Sequence, residues 1–558
     1  MSIMGTLKRL GSRFQYEIFA LLGTLVILWQ MLLPGYVLTL DLTFGPLRPA
    51  PVYAGLKAAT YAPDWLIYVA HSLISGWLVE KIILFGMFFL LFYLPLRFYP
   101  FSKNYGEAYF VSLLYTINPF VYERLLAGQW KVLFAYAFLF PFVACLIRFY
   151  KDFAWRPILM AFAWLLLIGM FALHMLVMGV FILFLFGTCL YVRSFFLKEH
   201  QRLGVFLARF FPVLGVFIVI SLYWVIPAFN APTLSVSTFT EADSSAFQTA
   251  GDKRIGTEGN VAALYGFWGE HETWSAHFHS PKEHLALWET TGALLAVLIA
   301  VGVFSALIDA KRRFIGLWLV LLGFAAFVFS IGVGDSVFRP FNAWLFENIW
   351  FWRGFRDTEK WSGVLVLAYA LFAGIGLSYL LSKLSKYKKT TRVFVVAVCA
   401  LPLFYTPTML FGFAGQLSPV EYPAAWAQAN AILSQDKNCA AVFLPWHQYY
   451  TPIFNHRILT GNTARLYFSC TIYSSADAEI GDVGDEVGKS AQYYAIEKAL
   501  VSDTAGPNTT IRFLKSQGIE YLIFTNDEVS DDSYKYPFLR SSLVHKVIDT
   551  PTLVLFSL

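Results

Sequence analysis

The sequence predicts an α-helical polytopic membrane protein with about eleven transmembrane helices, followed by a C-terminal extracytoplasmic α/β domain. Three observations lead there. Hydrophobic residues make up 58% of the chain and charged residues only 14%, where a soluble domain carries roughly 25% charge. Apolar windows of about twenty residues, long enough to cross a bilayer, recur over the first three quarters of the chain. Beyond residue 412 Pro, Asp, Asn, Ser and Thr return, and apolar runs shorten to strand length.

The spans fall near 16–37, 79–96, 107–118, 131–149, 157–173, 175–192, 208–229, 287–308, 314–332, 361–382 and 393–411. The short window 107–118 also fits a re-entrant segment. Basic clusters set the orientation. Lys8, Arg9 and Arg13 precede the first span, and Arg97 and Lys103 follow the second. Arg148, Lys151 and Arg156 follow the fourth, and Arg193, Lys198 and Arg202 the sixth. Lys311, Arg312 and Arg313 come next, then Lys383, Lys386, Lys388, Lys389 and Arg392. All lie on one side if the N-terminus is cytoplasmic, which places the C-terminus outside a cell membrane crossed many times. The first apolar run exceeds a signal-peptide core and no small-residue cleavage pattern follows it. These clusters also account for the net charge of +6, which therefore calls for no nucleic-acid partner.

This topology divides the chain into a transmembrane domain, 1–411, with outer loops 38–78, 119–130, 230–286 and 333–360, and a soluble domain, 412–558. Long loops gathered on one face usually carry function. The first begins Thr39-Leu40-Asp41-Leu42-Thr43-Phe44-Gly45-Pro46-Leu47-Arg48. A carboxylate at the hydrocarbon boundary is costly unless it has partners or a task, so Asp41 is either a solvated helix-end residue or a working one. Farther on, Trp and Tyr around residues 61–77 fit an amphipathic helix in the interface or a plain aromatic belt.

The loop 119–130 places Glu123 and Arg124 between apolar spans, where charges either pair or line a polar cavity. The 230–286 loop holds His271, His277, His279 and His284, four of the chain's ten histidines. Imidazole and carboxylate are divalent-metal ligands, which makes His271, His277 and His279 weak metal candidates. Their spacing matches no zinc motif, and an ordinary polar loop explains them equally. In the segment 344–361, Arg353, Arg356, Asp357, Glu359 and Lys360 sit among aromatics. If helical, Arg353 and Arg356 share a face and suit a phosphate or pyrophosphate. The alternative is an interfacial anchor of snorkelling cations.

In the soluble part, 440–445 and 521–525 read as buried strands, 511–518 as a helix ending at Gly518, and 552–556 as a closing strand. Of five cysteines, Cys145, Cys189 and Cys399 lie in spans, while Cys439 and Cys470 share the soluble domain and pair if its compartment is oxidising. Asn508-Thr509-Thr510 fits a glycosylation sequon. No phosphate-binding Gly-rich loop, nucleophile elbow, haem or flavin fingerprint is present, so no cofactor is expected. With the soluble part facing outward, a reaction there needs a donor carried in the membrane, such as a lipid phosphate.

In architecture, and in Asp41, Asn118-Pro119-Phe120-Val121-Tyr122-Glu123-Arg124 with Gly128-Gln129, and Phe355-Arg356-Asp357-Thr358-Glu359-Lys360-Trp361, the chain resembles the GT-C superfamily of polytopic glycosyltransferases. The last two stretches, and Leu444-Pro445-Trp446-His447-Gln448-Tyr449 with Arg457 and Asn462, look like bacterial arabinofuranosyltransferase-like membrane proteins. The resemblance implies a GT-C-like helical core with large outer loops after the first and seventh spans, here 38–78 and 230–286. It implies a polyprenyl-phosphate-linked sugar donor, a glycan, glycolipid or glycoprotein acceptor, and an acidic residue of the first loop at the reaction centre, here Asp41. The adjacent acidic pair familiar in the superfamily is missing, since Leu42 and Thr43 follow Asp41.

A lone carboxylate suffices as the base of an inverting transfer. On this reading Arg353, Arg356 and Lys360, supported by Arg124, meet the leaving phosphate. Glu123 and Gln129 hold sugar hydroxyls, and Arg48, Asp357 and Glu359 complete the substrate-binding set. Two other readings are a flippase or transporter for a lipid-linked glycan, which needs a polar path that the spans barely supply, and a non-catalytic scaffold presenting the soluble domain.

Overall fold

The computed structural model describes residues 14–101, 105–231, 239–271, 285–384, 386–436, 438–476, 490–501, 506–525 and 536–558. Lys8, Arg9, Arg13 and Lys103 lie outside these residues, as do His277, His279, His284 and the side chain of His271.

The chain is a multi-pass membrane protein, mostly helical. Its main helices are α1 (Gln15–Leu28), α2 (Tyr61–Leu73), α3 (Gly76–Phe98), α4 (Tyr105–Thr116), α5 (Pro119–Leu126), α6 (Trp130–Asp152), α7 (Trp155–Phe171), α8 (Leu173–Leu197), α9 (His200–Phe229), α10 (Leu285–Ile308), α11 (Arg313–Ile331), α12 (Ser362–Leu384) and α13 (Lys388–Tyr405). Among the described residues, eight helices are long and apolar enough to cross a membrane. The number is nine if α13 and Pro407–Ala414, bent by 77° at their junction, form one span. The remaining two of the eleven expected windows correspond to α7, with 17 residues, and α4, with 12.

Twelve residues rise only about 18 Å against a hydrocarbon core of about 30 Å. α5 follows after a break at Asn118. There the side-chain amide donates to the Leu114 and Tyr115 carbonyls at 3.0 and 2.9 Å, while its Oδ1 accepts from Val121 N at 3.1 Å. One side chain thus satisfies orphan groups on both sides of the break. Pro119 supplies a first helical residue that has no N–H to satisfy.

α6 runs through the middle of the helical body, with Leu133, Tyr136, Phe140, Phe142 and Ile147 buried. α9 and α10 lie outside, exposing Phe211, Val219, Phe229, Val297 and Phe304, the apolar surface expected to face lipid. α10 and α12 touch backbone to backbone. A Cβ at Gly302 would collide with the Phe372 carbonyl, and one at Gly376 with that of Leu298. Such small-residue crossings replace the hydrophobic drive that lipid removes.

The C-terminal domain opens with α14 (Ala424–Leu433) and contains β1 (Ala440–Leu444), β2 (Tyr449–Tyr450), β3 (Thr460–Gly461), β4 (Thr471–Tyr473), α15 (Ala491–Val501), α16 (Pro507–Ser516), β5 (Tyr521–Thr525), β6 (His545–Asp549) and β7 (Leu553–Ser557). The sheet order is β4-β1-β5-β7-β6, parallel through β5 and antiparallel thereafter. Strand alternation splits the core in two. Ala441, Phe443, Ile523 and Leu555 pack with Trp426 of α14, while Val442, Leu444, Leu522 and Phe524 pack with Ile496 and Leu514 of α15 and α16. Cys439 and Cys470 are joined by a disulfide.

Candidate active site

Asp41 lies in a tight turn held from three directions. Leu42 N donates to Thr39 O at 2.6 Å, closing the turn. From the helical body, Asp41 N donates to Ala127 O at 3.2 Å and Thr39 Oγ1 to Leu126 O at 2.5 Å. From the C-terminal domain, Leu459 O accepts from Leu40 N at 2.9 Å, and Gly461 N donates to Leu40 O at 2.8 Å. Upstream, Val37 N donates to the buried Glu80 carboxylate at 2.9 Å, and Tyr36 exchanges backbone bonds with Val420. The support from the helical body requires a glycine. Gly128 has φ +72°, and a Cβ there would meet the Leu42 amide and lie 2.7 Å from Asp41 N. Only a residue without a side chain lets the α5–α6 connection approach the turn this closely.

The carboxylate opens into a polar cleft of about 270 Å³ between this turn and the C-terminal domain, lined by Gln448, Tyr449, Asn462, Arg465, Ser474 and Ser475 among others. Tyr449 Oη donates to Asp41 Oδ1 at 2.8 Å. The Asp41 side chain is solvent-accessible through the cleft, yet protein surrounds it densely on the other sides. Desolvation therefore raises its pKa, and the Tyr449 hydrogen bond, the Lys360 charge and a Gln129 hydrogen bond oppose that rise. A carboxylate tuned upward while remaining open to solvent has the properties of a general base.

Behind Asp41 lies a buried charge cluster. Arg124 donates to both Asp357 oxygens, at 2.5 and 3.0 Å, and also to Glu359 and to Gln129 Oε1, the last at 2.9 Å. Its guanidinium also lies against the Phe120 and Phe267 rings. Lys360 Nζ is 3.3 Å from Asp357 Oδ2. Burial alone would raise the Asp357 pKa, but Arg124 and Lys360 outweigh it and hold the carboxyl well below the usual range. The bidentate geometry is what makes so many buried charges tolerable. Arg124 is committed to these partners and fully buried, so it acts on Asp41 through Gln129, whose amide faces the carboxylate, and through Asp357 and Lys360.

The structure thus brings together Asp41, Gln129, Arg124, Asp357, Glu359 and Lys360 from the residues singled out in the sequence. Arg356 flanks them, 3.3 Å from Asp243 and lying over the Phe239 and Phe247 rings at 4.5 and 4.4 Å. Three candidates point elsewhere. Arg353 is spent on the Phe346 and Glu347 carbonyls at 3.4 and 3.5 Å. Arg48 pairs with Asp64 at 3.6 Å, which also holds Lys131 at 2.7 Å. Glu123 accepts from Phe267 N at 3.4 Å, tying the 230–286 loop to α5. Of the metal candidates, His277 and His279 lie outside the described residues, as does the side chain of His271; among the described residues no cluster fits a metal.

Sequence reasoning assigned no individual role to Tyr449, Gln448, Asn462, Gly128, Asp243 or His174. His174 Nε2 lies 2.8 Å from Gly354 O, steadying the segment that leads to Asp357. The local signals are Gly128-Gln129 at the head of an apolar span and the stretch 444–449 with Asn462.

No family model and no curated protein matches the chain. Among solved structures, it is similar to the arabinofuranosyltransferase AftD from Mycobacteria, with TM-score 0.60 at 10% identity, over 98% of this chain and 40% of that one. A mutant of AftD gives TM-score 0.59 at 13% identity, over 98% and 41%. ArnT from Cupriavidus metallidurans aligns over 98% of both chains at 13% identity, with TM-score 0.48. The chain therefore spans about 40% of the length of AftD. At this identity the likeness is one of fold, shared with the arabinofuranosyltransferase AftD.

Proposed function

We propose that this protein is a membrane glycosyltransferase that moves a sugar from a polyprenyl-phosphate donor to a hydroxyl of an envelope glycan, glycolipid or glycoprotein on the extracytoplasmic face. The observation that carries the reading is the position of Asp41, exposed at the base of a polar cleft with Lys360 and Gln129 behind it and Tyr449 across from it. The acceptor oxygen attacks the anomeric carbon while Asp41 takes its proton. The anomeric C–O bond to the lipid phosphate breaks, and its electron pair leaves with the phosphate. Inversion follows from a single displacement. Lys360, with Arg356 beside it, meets the charge that develops on the leaving group, while Arg124, Asp357 and Glu359 hold Lys360 and Gln129 in place. Hydroxyl and amide groups of the cleft, from Gln448, Asn462, Ser474 and Ser475, suit a carbohydrate acceptor.

The extracytoplasmic orientation rests on the basic clusters at the opposite helix ends. The Cys439–Cys470 disulfide supports it, since such bonds persist in oxidising compartments. A flippase would need charges along a path. Here the buried pairs, Glu80 with Lys81 and Arg124 with Asp357 and Glu359, are closed on themselves.

The test uses purified wild type and Asp41→Asn with a panel of polyprenyl-phosphate sugars and an extracted envelope acceptor. Transfer by wild type that collapses in the variant, with donor binding retained, supports the reading. Equal transfer by both moves the base elsewhere. No transfer by either, with any donor, removes the enzyme reading.

A further inference from the structure

At the far end of α6 from Asp41, about 30 Å away along the helix, a cleft of about 530 Å³ opens between α3, α6 and α7. Its wall is mostly apolar and includes Phe98, Met160 and Trp164, while Arg97, Arg148 and Arg156 stand at its rim. Each arginine comes from the end of a different helix. Arg97 is the penultimate residue of α3, Arg148 lies in the last turns of α6, and Arg156 is the second residue of α7. Arg148 Nη2 donates to Phe98 O at 3.0 Å and its guanidinium lies 5.3 Å from the Phe98 ring centre. Tyr93, also in the wall, directs its hydroxyl to Glu17 at 3.4 Å.

Among the described residues none of the three arginines forms an ion pair with a carboxylate. Others at the same end do: Arg193 and Arg202 pair with Glu199, and Arg312 with Asp309, while Lys151 and Arg313 bond the Pro100 and Leu307 carbonyls. Three guanidiniums without a carboxylate partner among the described residues thus converge on an apolar cleft at the ends of membrane helices, an arrangement suited to an external anion.

We infer that this cleft binds an anionic phospholipid, with its phosphate on Arg97, Arg148 and Arg156 and an acyl chain along Met160 and Trp164. Guanidinium matches phosphate in geometry and is weakly hydrated enough to work at an interface. Basic pockets between membrane helices select anionic headgroups. The apolar wall disfavours a soluble anion, and three charges disfavour a zwitterionic lipid. Arginines that serve only to orient the helices would make no such distinction. The inference does not depend on the role of Asp41.

The experiment presents the purified full-length protein with equimolar phosphatidylglycerol and phosphatidylcholine and counts retained lipids by native mass spectrometry. Wild type should retain phosphatidylglycerol preferentially. Replacing Arg97, Arg148 and Arg156 together by Gln should reduce that retention by at least about tenfold, each cation contributing on the order of fivefold. Met160→Trp, which fills the wall and leaves the charge alone, should reduce it as well, so the test does not rest on one variant. Phosphatidylglycerol brominated on its acyl chain should quench wild type more than Trp164→Phe, whereas brominated phosphatidylcholine should not. Equal retention of the two lipids, or a ratio unchanged in both variants, would overturn the assignment. So would displacement of phosphatidylglycerol by equimolar soluble glycerol phosphate or by a polyprenyl phosphate.

Discussion

The Tyr449 hydroxyl donates to Asp41 Oδ1 across 2.8 Å, although 408 residues separate the two in the chain. The bond favours the ionised carboxylate and so partly offsets the desolvation that raises its pKa. In Tyr449→Phe the Asp41 pKa should rise further. A base acts only when deprotonated, so the acidic limb of the pH–rate profile should move to higher pH. Activity should fall most below that limb and recover toward alkaline pH. A uniform loss at every pH would mean that Tyr449 holds the acceptor and does not tune the base.

Gly128→Ala should separate folding from turnover. The added methyl meets the Leu42 amide and the Asp41 backbone, and the turn must shift to admit it. A displacement of about 1 Å at a reacting group costs on the order of 100-fold in rate. We expect that loss in kcat/KM with an unfolding temperature close to wild type. Unchanged turnover would show that the turn tolerates displacement.

Removing Arg124 leaves two carboxylates buried without their main partner. Arg124→Met should therefore cost about 3–5 kcal/mol, measured by thermal or denaturant unfolding in detergent. Arg124→Lys should recover only part, because an ammonium cannot make the bidentate pair with Asp357. In the wild type, the depressed Asp357 pKa contributes stability that is fully present above the unfolded-state value, near pH 4, and is lost as pH falls toward the folded-state value. A fall in stability from this carboxylate between pH 5 and 8 would contradict the pairing.

The Cys439–Cys470 bond closes a sequence separation of 31 residues. By the loop-entropy relation it should contribute about 3–4 kcal/mol to the C-terminal domain. Cys439→Ala with Cys470→Ala, or reduction of the wild type, should lower the unfolding transition of that domain by a corresponding amount. No change on reduction would show that the bond is dispensable.

Much of the helical body was legible because lipid imposes a simple rule: long apolar windows become helices, and interrupted ones become helices with a break. The window at 107–118 shows the limit of that rule. Its length alone leaves a re-entrant segment open, and the structure shows two short helices, α4 and α5, joined at a break that Asn118 caps on both sides. In the site, Asp41, Arg124, Gln129 and Lys360 were visible because polar groups beside hydrocarbon need partners. Arg353 was visible for the same reason, but composition gives no side-chain direction, and its partners are backbone carbonyls. Tyr449 lies in the stretch 444–449 that carries the resemblance, but nothing local links it to Asp41. It sits on a two-residue strand paired to β3, which in turn bridges Leu40, so its place beside Asp41 depends on the whole intervening chain.

The backbone bonds from Leu40 to Leu459 and Gly461 also set an order of events during synthesis. The carboxylate leaves the ribosome roughly 400 residues ahead of the ribbon that completes its turn, about 40 s at ~10 residues per second. For that interval Asp41 is present in the membrane without its mature surroundings. The turn is completed only when the C-terminal domain closes over the first loop, so a nascent chain passes through the membrane-insertion machinery with its cleft still unformed.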